Sequence, residues 1–427
     1  MQCSSGMARV VLLAGCMVAG AACGGDDTPG PSRGEPGAGG SGAGSAASTG
    51  GADAGVTSSG SSASGATGAS GGSGGGGGEA PQVVYPVPDW SVEDPAAHGM
   101  DPAALDAAAT AAEEEGSHCL VVVRHGAIVA EHYWQGKDAS SADKSFSVAK
   151  SYTSALVGIA IERGDIDSLD QPASDFVPEW QGTEHEGITI RHLLTMTSGL
   201  HWDVISDYVS MATLSWDQSG YAVDLGVDED AGSHWQYHNG GVQIFEPVFR
   251  GATGMSIEEY AAEHLWARIG SSATWNHDLS QNPTTYAHVL ATCRDHARFG
   301  YLYLRGGQWA DGPVVPADYV AGSLTPSQDM NRAYGYLWWL NGQTPALDPF
   351  GAEKEGTIAP FAPDDLFAAR GFGDQFIDVI PSLDLVIVRI GPDPIGSFDW
   401  GQLVANENSS GTHEAIVGPI LEGIAAP

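Results

Sequence analysis

Two stretches rich in β-forming residues, 119–134 and 375–388, lie far apart in the chain, and a short turn interrupts each of them. Stretches of this kind across a turn predict antiparallel hairpins. The four predicted strands are residues 119–124, 127–134, 375–380 and 383–388. Because one hairpin comes early and the other late, we expect one discontinuous domain whose antiparallel sheet is completed by both ends of the chain.

The residues between the hairpins follow a helical period, most clearly over 256–269 and 294–304. Asp101 and Pro102 precede an Ala-rich run that predicts a capped helix to residue 115, and a last helix is expected over 412–425. The predicted fold class is therefore α/β (α+β), an antiparallel sheet flanked by helices, with an all-α insertion at about 160–330.

Composition separates this domain from the residues that precede it. Residues 24–80 hold 22 of the 59 glycines and almost no aliphatic side chains. Such a segment cannot bury enough apolar surface to offset its ordering entropy, so we expect a disordered tether. Residues 81–427, the predicted folded domain, carry 15 basic and 48 acidic residues. That acidity excludes a nucleic-acid partner and direct binding to anionic lipid.

Residues 1–23 are expected to direct export. Arg9 precedes an apolar stretch that ends in small residues before Cys23, which is the pattern of a secretory signal. A cysteine at this point is typical of a bacterial lipoprotein. Cys23 is preferred over Cys16 as the lipid anchor because it leaves a longer apolar region. An ordinary cleaved signal with incidental cysteines is the alternative. We expect an exported protein, held at a membrane only through that lipid and otherwise secreted.

Two cysteines, Cys119 and Cys293, remain in the predicted domain. In an oxidising compartment they can form a disulfide. Their wide separation in sequence gives no geometric information, however. Two separate buried thiols are the other interpretation.

Ser147 and Lys150 carry the strongest chemical signal. Residues three apart on a helix share a face, so the amine can reach the hydroxyl. A lysine in a water-poor pocket can lose its proton near neutral pH and serve as the base for a serine nucleophile. Only four lysines occur in the chain. Lys144 also follows a serine by three residues, but it lies in a polar stretch without an apolar continuation.

Tyr237 and Asn239 form the second element, the one Tyr-x-Asn sequence among thirteen tyrosines. In an extended segment, alternate side chains point to the same side, so these two are expected to point together. A phenol beside an amine can carry a proton to a leaving group.

A glycine-rich strand start at residues 368–375 is the third element, and it includes Gly371 and Gly373. Glycine lets a backbone approach a ligand closely. A strand N–H aimed at the site would form half of an oxyanion hole, and the N–H of Ser147 would form the other half. Gly371 and Gly373 are therefore candidate substrate-binding residues.

No metal and no cofactor is predicted, because the fourteen histidines include no His-Glu-x-x-His motif and the sequence has no phosphate-binding glycine loop. The pocket is expected to take its shape from residues 200–235 and 330–365. Trp235, Trp338 and Trp339 are expected in the core, although they could line that pocket.

The order Ser-x-x-Lys, Tyr-x-Asn and glycine-rich strand resembles the β-lactamase-related serine hydrolases. This superfamily includes class C β-lactamases, D-alanyl-D-alanine carboxypeptidases, family VIII esterases and 6-aminohexanoate-dimer hydrolases. The resemblance covers about residues 85–425, with support from 146–151, 188–200, 297–304 and 379–386.

The resemblance implies a β-lactamase/transpeptidase-like fold and a set of roles. Ser147 resembles the acylated nucleophile and Lys150 its base partner. Tyr237 resembles the second base, which protonates the leaving group and later activates water. Asn239 would orient the substrate or the lysine.

The third motif departs from the family pattern. Aligning Gly371, Phe372 and Gly373 without gaps replaces the Lys-Thr-Gly of class C enzymes by residues 365–367 and puts the second oxyanion donor at Ala368. The cation that would hold a β-lactam carboxylate is then missing unless Arg370 replaces it.

The resemblance thus implies hydrolysis of a small-molecule ester or amide, or of a peptide-like substrate, through an acyl-enzyme. A β-lactamase or D-alanyl-D-alanine carboxypeptidase is the alternative, and an inactive tethered binding module is the second alternative. The oligomeric state is left open.

Overall fold

The computed structural model describes residues 83–393 and 411–425. The predicted signal with Cys16 and Cys23, and the tether at 24–80, lie outside the described residues. Within these ranges, no helix combines the length and the apolarity that crossing a membrane requires.

The main sheet has six antiparallel strands in the order β2-β1-β13-β12-β11-β8. The strands are β1 (Cys119–Arg124), β2 (Ala127–Tyr133), β3 (Ala142–Lys144), β4 (Thr274–Trp275), β5 (Val289–Thr292), β6 (Gln308–Trp309), β7 (Gly312–Pro313), β8 (Trp339–Leu340), β9 (Ala346–Leu347), β10 (Glu353–Lys354), β11 (Phe367–Gly371), β12 (Gln375–Ile380) and β13 (Leu385–Ile390). Both predicted hairpins are present. β1 pairs with β13 from Cys119 opposite Ile390 to Arg124 opposite Leu385, so the two ends of the domain complete one sheet.

Helices cover the sheet and form most of the insertion. They are α1 (Pro102–Glu114), α2 (Ala149–Arg163), α3 (Ile190–Leu194), α4 (Gln218–Val223), α5 (Asn239–Gln243), α6 (Phe245–Thr253), α7 (Ile257–Ala261), α8 (Ala267–Ile269), α9 (Cys293–Leu304), α10 (Ala317–Ser323) and α11 (Gly411–Glu422), with π-helical segments at Ile205–Leu214 and Ala262–Trp266. Asp101 caps α1 by accepting a hydrogen bond from the N–H of Ala103, as the sequence predicts.

The sheet is covered on both faces, which explains why every residue of β1 and β13 is buried. α9 packs on one face so closely that a Cβ atom at Gly300 would lie 2.7 Å from methyl groups of Ile377 and Val386. α11 covers the other face, where the ring of His413 contacts Phe376 at a centroid distance of 4.9 Å.

The insertion is mainly helical, but it is not all-α over residues 160–330. Four short strands, β4 to β7, fall within that range. β5 lies between β4 and β3 in a separate sheet of three strands. α9 also falls within the range, yet it belongs to the layer on the main sheet. The prediction fails here because strands of two to four residues are too short to show a periodicity in the sequence.

Cys119 and Cys293 form a disulfide, with their Cα atoms 6.5 Å apart. The interpretation as two separate thiols is therefore wrong. The bond joins the first residue of β1 to the first residue of α9, so it links the sheet to a helix that packs on it.

Candidate active site

Ser147 lies in a one-turn 3₁₀ segment, Phe146–Val148, directly before α2. The φ angle of Phe146 is 48°, in the left-handed region that non-glycine residues seldom occupy. β5 and the residue before it hold this turn in place. Ser145 N–H donates to the carbonyl of Val289 (3.1 Å), and His288 N–H donates to the carbonyl of Phe146 (3.0 Å). A strained backbone of this kind persists only where its surroundings fix it.

The imidazole of His288 supports the same turn. Its ring packs edge-on against Phe146, with a centroid distance of 4.6 Å. Burial lowers the pKa of His288 to about 4, and the positive charge of Lys144 lowers it further. The ring is therefore neutral near pH 7 and packs as a largely apolar group.

Lys150 lies in the first turn of α2, three residues after Ser147, and only 1% of its surface is exposed. Its Nζ lies 3.0 Å from Ser147 Oγ, 2.7 Å from Asn239 Oδ1 and 3.0 Å from the carbonyl oxygen of Tyr286. The structure thus brings Ser147, Lys150 and Asn239 into one hydrogen-bonded group, although 89 residues separate Lys150 from Asn239.

Tyr237 completes the group. The Nζ of Lys150 lies 4.6 Å from the centre of its ring. That ring stacks on Trp339 at 5.8 Å and meets the edge of Tyr334 at 6.2 Å, so aromatic neighbours hold it in place. The side chain of His238 serves a different purpose, because its Nδ1 accepts from Gly241 N–H and caps α5.

Asp207 is a residue of the site that the sequence analysis missed. It is 3% exposed, and its Oδ2 accepts from the side-chain Nδ2 of Asn239 at 2.8 Å. The same carboxylate accepts from the backbone N–H groups of Asn239 (3.2 Å) and Gly240 (2.9 Å). No motif surrounds Asp207 in the sequence, and it lies about thirty residues away from its partner, so only the fold reveals it.

Gly371, rather than Ala368, is the residue of β11 that meets the nucleophile. A Cβ atom at Gly371 would lie 3.0 Å from Ser147 N. Ala368 is fully buried, pairs with Trp339 and Asp378 in the sheet, and lies three residues, or about 10 Å, further along the strand. The prediction of Ala368 as the second oxyanion donor is therefore wrong. The ungapped alignment on Gly371 moved it three positions away from the site.

Arg370 projects from the face of β11 opposite to Ser147. Successive strand residues alternate between faces, and Gly371 points toward Ser147. Arg370 is opposite Phe376 in the register and reaches His413 Nδ1 at 3.3 Å. Burial lowers its pKa, against the opposing charges of Asp378 and Asp374. Arg370 lines the same cavity as Ser147, so its assignment as a substrate-binding residue stays a prediction, but its face of β11 does not point at the nucleophile.

A cavity that is open to solvent begins at half-buried Ser147 and passes around the end of β11, with about 860 Å³ of empty space including its open mouth. Its lining residues are Ser147, Tyr237, Trp339, Leu347, Asp348, Pro349, Lys354, Ile358, Arg370, Gly371, Phe372, Gly373, Asp374, Gln375, Phe376 and His413. Gly373 has a φ of 77°, which its position in the β11–β12 turn requires.

The walls of this cavity match the predicted segments in part. Residues 347–358 contribute to the lining, whereas the described residues 200–235 contribute none and instead line a separate groove. Trp339 lines the cavity, while Trp235 and Trp338 lie in the core. Lys354 brings a cation to the cavity that the sequence analysis did not single out.

The sequence profile of the β-lactamase family matches residues 105–390. This range is more than half of the chain, and it holds Ser147, Lys150, Tyr237 and Gly371. The chain belongs to the β-lactamase family. The chain is 25% identical over 344 residues to the 6-aminohexanoate-dimer hydrolase of Paenarthrobacter ureafaciens, and the match covers 71% of this chain and 82% of that enzyme.

Solved structures show the same fold. A Bacillus anthracis protein assigned as a 6-aminohexanoate-dimer hydrolase superposes with a TM-score of 0.58 at 19% identity, covering 78% of this chain and 89% of the other. A family VIII carboxylesterase superposes with a TM-score of 0.51 at 16% identity, covering 70% and 96%. The protein therefore has the β-lactamase/transpeptidase-like fold and is a serine hydrolase of the β-lactamase-related class.

Proposed function

We propose that this β-lactamase-family protein hydrolyses small-molecule or peptide-like esters or amides through an acyl-enzyme on Ser147. The observation that carries the proposal is the 3.0 Å distance from Lys150 Nζ to Ser147 Oγ at the mouth of the cavity. A nucleophile within hydrogen-bond reach of its base is the arrangement that this chemistry requires.

The surroundings of Lys150 suit a neutral amine that acts as a base. A neutral amine has two N–H donors and one lone pair. The oxygens of Asn239 and Tyr286 can only accept, so they take both donors. Of these three partners, Ser147 Oγ is the one with a proton to give, so it can donate to the lone pair.

The reaction then has two halves. Ser147 Oγ attacks the substrate carbonyl carbon as its proton passes to Lys150, and backbone N–H groups at Ser147 and at the Gly371 end of β11 hold the oxyanion. The proton passes on through Tyr237 to the leaving alcohol or amine, and the bond to that group breaks. A water molecule then gives a proton to the same bases and attacks the acyl-enzyme. The bond to Ser147 Oγ breaks, the bases return that proton to Oγ, and the acid leaves.

The alternative as a β-lactamase or D-alanyl-D-alanine carboxypeptidase requires a cation for the substrate carboxylate beside the nucleophile. Arg370 leaves β11 on the opposite face and lies close to the charges of Asp374 and Asp378. The placement of Arg370 favours esters and simple amides over β-lactams, and Lys354 is the other cation in the cavity that could hold a substrate carboxylate.

The test compares Ser147→Ala with Ser141→Ala, because Ser141 is the other serine that precedes a lysine by three residues. We expect Ser147→Ala to lose turnover of short-chain nitrophenyl esters and labelling by a fluorophosphonate, and Ser141→Ala to keep both. Full turnover by Ser147→Ala would overturn the mechanism. A wild-type protein that no serine-directed probe labels would point to the inactive tethered binding module. Faster turnover of cephalosporins than of esters would favour the alternative.

We also propose that the protein is exported and anchored through Cys23. The Cys119–Cys293 disulfide supports export, since such bonds persist in oxidising compartments. Expression in a bacterium fed an alkyne-tagged fatty acid tests the anchor. Label should enter the wild type and Cys16→Ala but not Cys23→Ala, and a label that depends on Cys16 would reassign the anchor.

A further inference from the structure

We propose that Asp207 is a positioning residue for the hydrolysis, because it fixes the side-chain amide of Asn239 with its oxygen toward Lys150. The inference rests on the proposed function, since it concerns the same Ser147 and Lys150. The observation behind it is the continuous chain from Lys150 Nζ to Asn239 Oδ1 (2.7 Å) and from Asn239 Nδ2 to Asp207 Oδ2 (2.8 Å).

The two ends of this chain demand the same orientation of the amide. An ammonium or amine of Lys150 that donates to Asn239 needs the amide oxygen. A carboxylate of Asp207 has no proton to donate, so it needs the amide nitrogen. Flipping the Asn239 amide would place two donors together at Lys150 and two acceptors together at Asp207. Asp207 therefore selects the single orientation in which Asn239 accepts from Lys150.

Asp207 is itself held rigidly. It lies in the π-helical segment Ile205–Leu214, where its N–H donates to the carbonyl of Asp203 at 3.0 Å. Its Oδ1 accepts from Gly240 N–H, and its Oδ2 also accepts from Asn239 N–H. His238 Nδ1 also lies 3.3 Å from Asp207 Oδ1, but it accepts from Gly241 N–H and so donates nothing to the carboxylate. The carboxylate thus fixes both the backbone at the start of α5 and the amide that leaves it.

Asp207→Asn keeps the shape of the side chain, but it no longer selects one orientation of the Asn239 amide. An amide at position 207 can donate or accept, so Asn239 can turn its nitrogen toward Lys150. Lys150 then loses an acceptor, and the lone pair no longer has to face Ser147. The substitution also removes a buried negative charge near the bases, which disfavours their protonated forms.

The experiment compares Asp207→Asn with Asp278→Asn as a matched control. Asp278 is also buried, and it accepts from the backbone N–H groups of Gln218 and Asn282 and from the side-chain Nδ2 of Asn282. Asp278 is thus bonded in the same manner as Asp207, but its partner amide does not reach Lys150. Ester hydrolysis, the rate of fluorophosphonate labelling and urea unfolding are measured for both variants, for Asn239→Ala and for the double variant at 207 and 239.

We expect Asp207→Asn to lower kcat at least about tenfold, the effect of a lost hydrogen bond in a charged network. KM should stay nearly constant, and the acidic limb of the pH profile of kcat/KM should move to lower pH. Asp278→Asn should lose comparable stability and keep its kcat. In the Asn239→Ala background, Asp207→Asn should slow the reaction by no more than about twofold, since a residue that acts through another adds nothing once that residue is gone.

Two results would overturn the proposal. The first is an Asp207→Asn variant whose fluorophosphonate labelling rate and kcat equal those of the wild type. The second is a double variant in which the fold-losses of kcat from the two single substitutions multiply. If Asp207→Asn does not fold, Asp207→Glu takes its place. It keeps the charge and the acceptors, so it should fold with the pH profile of the wild type. A displaced profile there would count against the role. Failure of the wild type to label at Ser147 would instead remove the proposed function, which is a separate outcome.

Discussion

The backbone of Gly371 lies directly against the amide of Ser147. A Cβ atom at position 371 would come within 3.0 Å of Ser147 N and within 2.5 Å of the carbonyl oxygen of Ser145. The end of β11 and the nucleophile turn therefore pack backbone against backbone. This contact places the N–H of Ser147 beside the strand whose glycine-rich end lines the cavity.

We predict that Gly371→Ala lowers the rate of acylation at Ser147 about a hundredfold, the loss that follows when one oxyanion donor is displaced. The added methyl group would meet backbone atoms rather than a flexible side chain, so the turn or the strand must shift. The measurement is the rate of fluorophosphonate labelling, with thermal unfolding recorded beside it. Gly187→Ala is the matched control, because no atom lies within 4 Å of a Cβ there. Equal labelling rates in the two variants would contradict the assignment of the Gly371 end of β11 to the oxyanion hole.

The disulfide between Cys119 and Cys293 should stabilise the domain by about 2–5 kcal/mol, because it closes a long loop in the unfolded chain. The bond spans 174 residues. Urea unfolding of the wild type with and without a reductant measures the effect, and the midpoint should fall on reduction. A variant with alanine at both positions should unfold like the reduced protein and ignore the reductant. A wild-type midpoint that does not respond to reduction would exclude the bond.

His296 should make the domain sensitive to mild acid. It is fully buried, and burial lowers its pKa from 6.5 to about 4, against an opposing effect of Asp143. Above pH 6.5 the ring is neutral in both states, and below it only the unfolded chain binds the proton. The free energy of unfolding should therefore fall as the pH drops from 6.5 to 4. At pH 5 this group alone lowers it by about 2 kcal/mol relative to pH 7.

The measurement is the urea midpoint at pH 7 and pH 5 for the wild type, His296→Asn and His234→Asn. His234 is exposed, so its variant should keep the full pH dependence. His296→Asn should start from a lower stability and lose less of it in acid. The same slope in all three proteins would mean that His296 accepts a proton in the folded state as easily as in the unfolded chain.

Arg370→Gln should affect stability more than chemistry. The guanidinium lies near Asp378, which is 0% exposed, and 3.3 Å from His413, on the face of β11 away from Ser147. We expect the free energy of unfolding to fall by about 1–3 kcal/mol, since a buried carboxylate loses a compensating charge. The kcat/KM for a short-chain ester should change little. Arg332→Gln, at an exposed pair with Asp329, is the control for stability. An Arg370→Gln variant with an unchanged free energy of unfolding and a large loss of kcat/KM would show that Arg370 acts on the substrate beside Ser147.

Features that depend on neighbouring residues could be predicted from the sequence. The runs of β-forming residues in 119–134 and 375–388, each interrupted by a short turn, predicted both hairpins. Asp101 and Pro102 predicted the start of α1. The spacing of Ser147 and Lys150 predicted their contact, since one helical turn fixes the distance between residues three apart.

Contacts between distant segments could not be predicted in this way. Gly371 and not Ala368 meets Ser147, because the register of β11 against the nucleophile turn depends on how the whole sheet packs on α2. Arg370 faces α11 for the same reason, as a shift of one residue reverses the face of a strand.

The sequence by itself thus determined the hairpins, the main helices and the Ser–Lys pair, all of which depend on residues close together in the chain. Only the tertiary structure decided that Cys119 bonds to Cys293, that Gly371 closes on Ser147, and that Asp207 orients Asn239. Each of these pairs joins segments far apart in the chain. Their distance depends on sheet order and layer packing, which the local periodicity of a sequence does not encode.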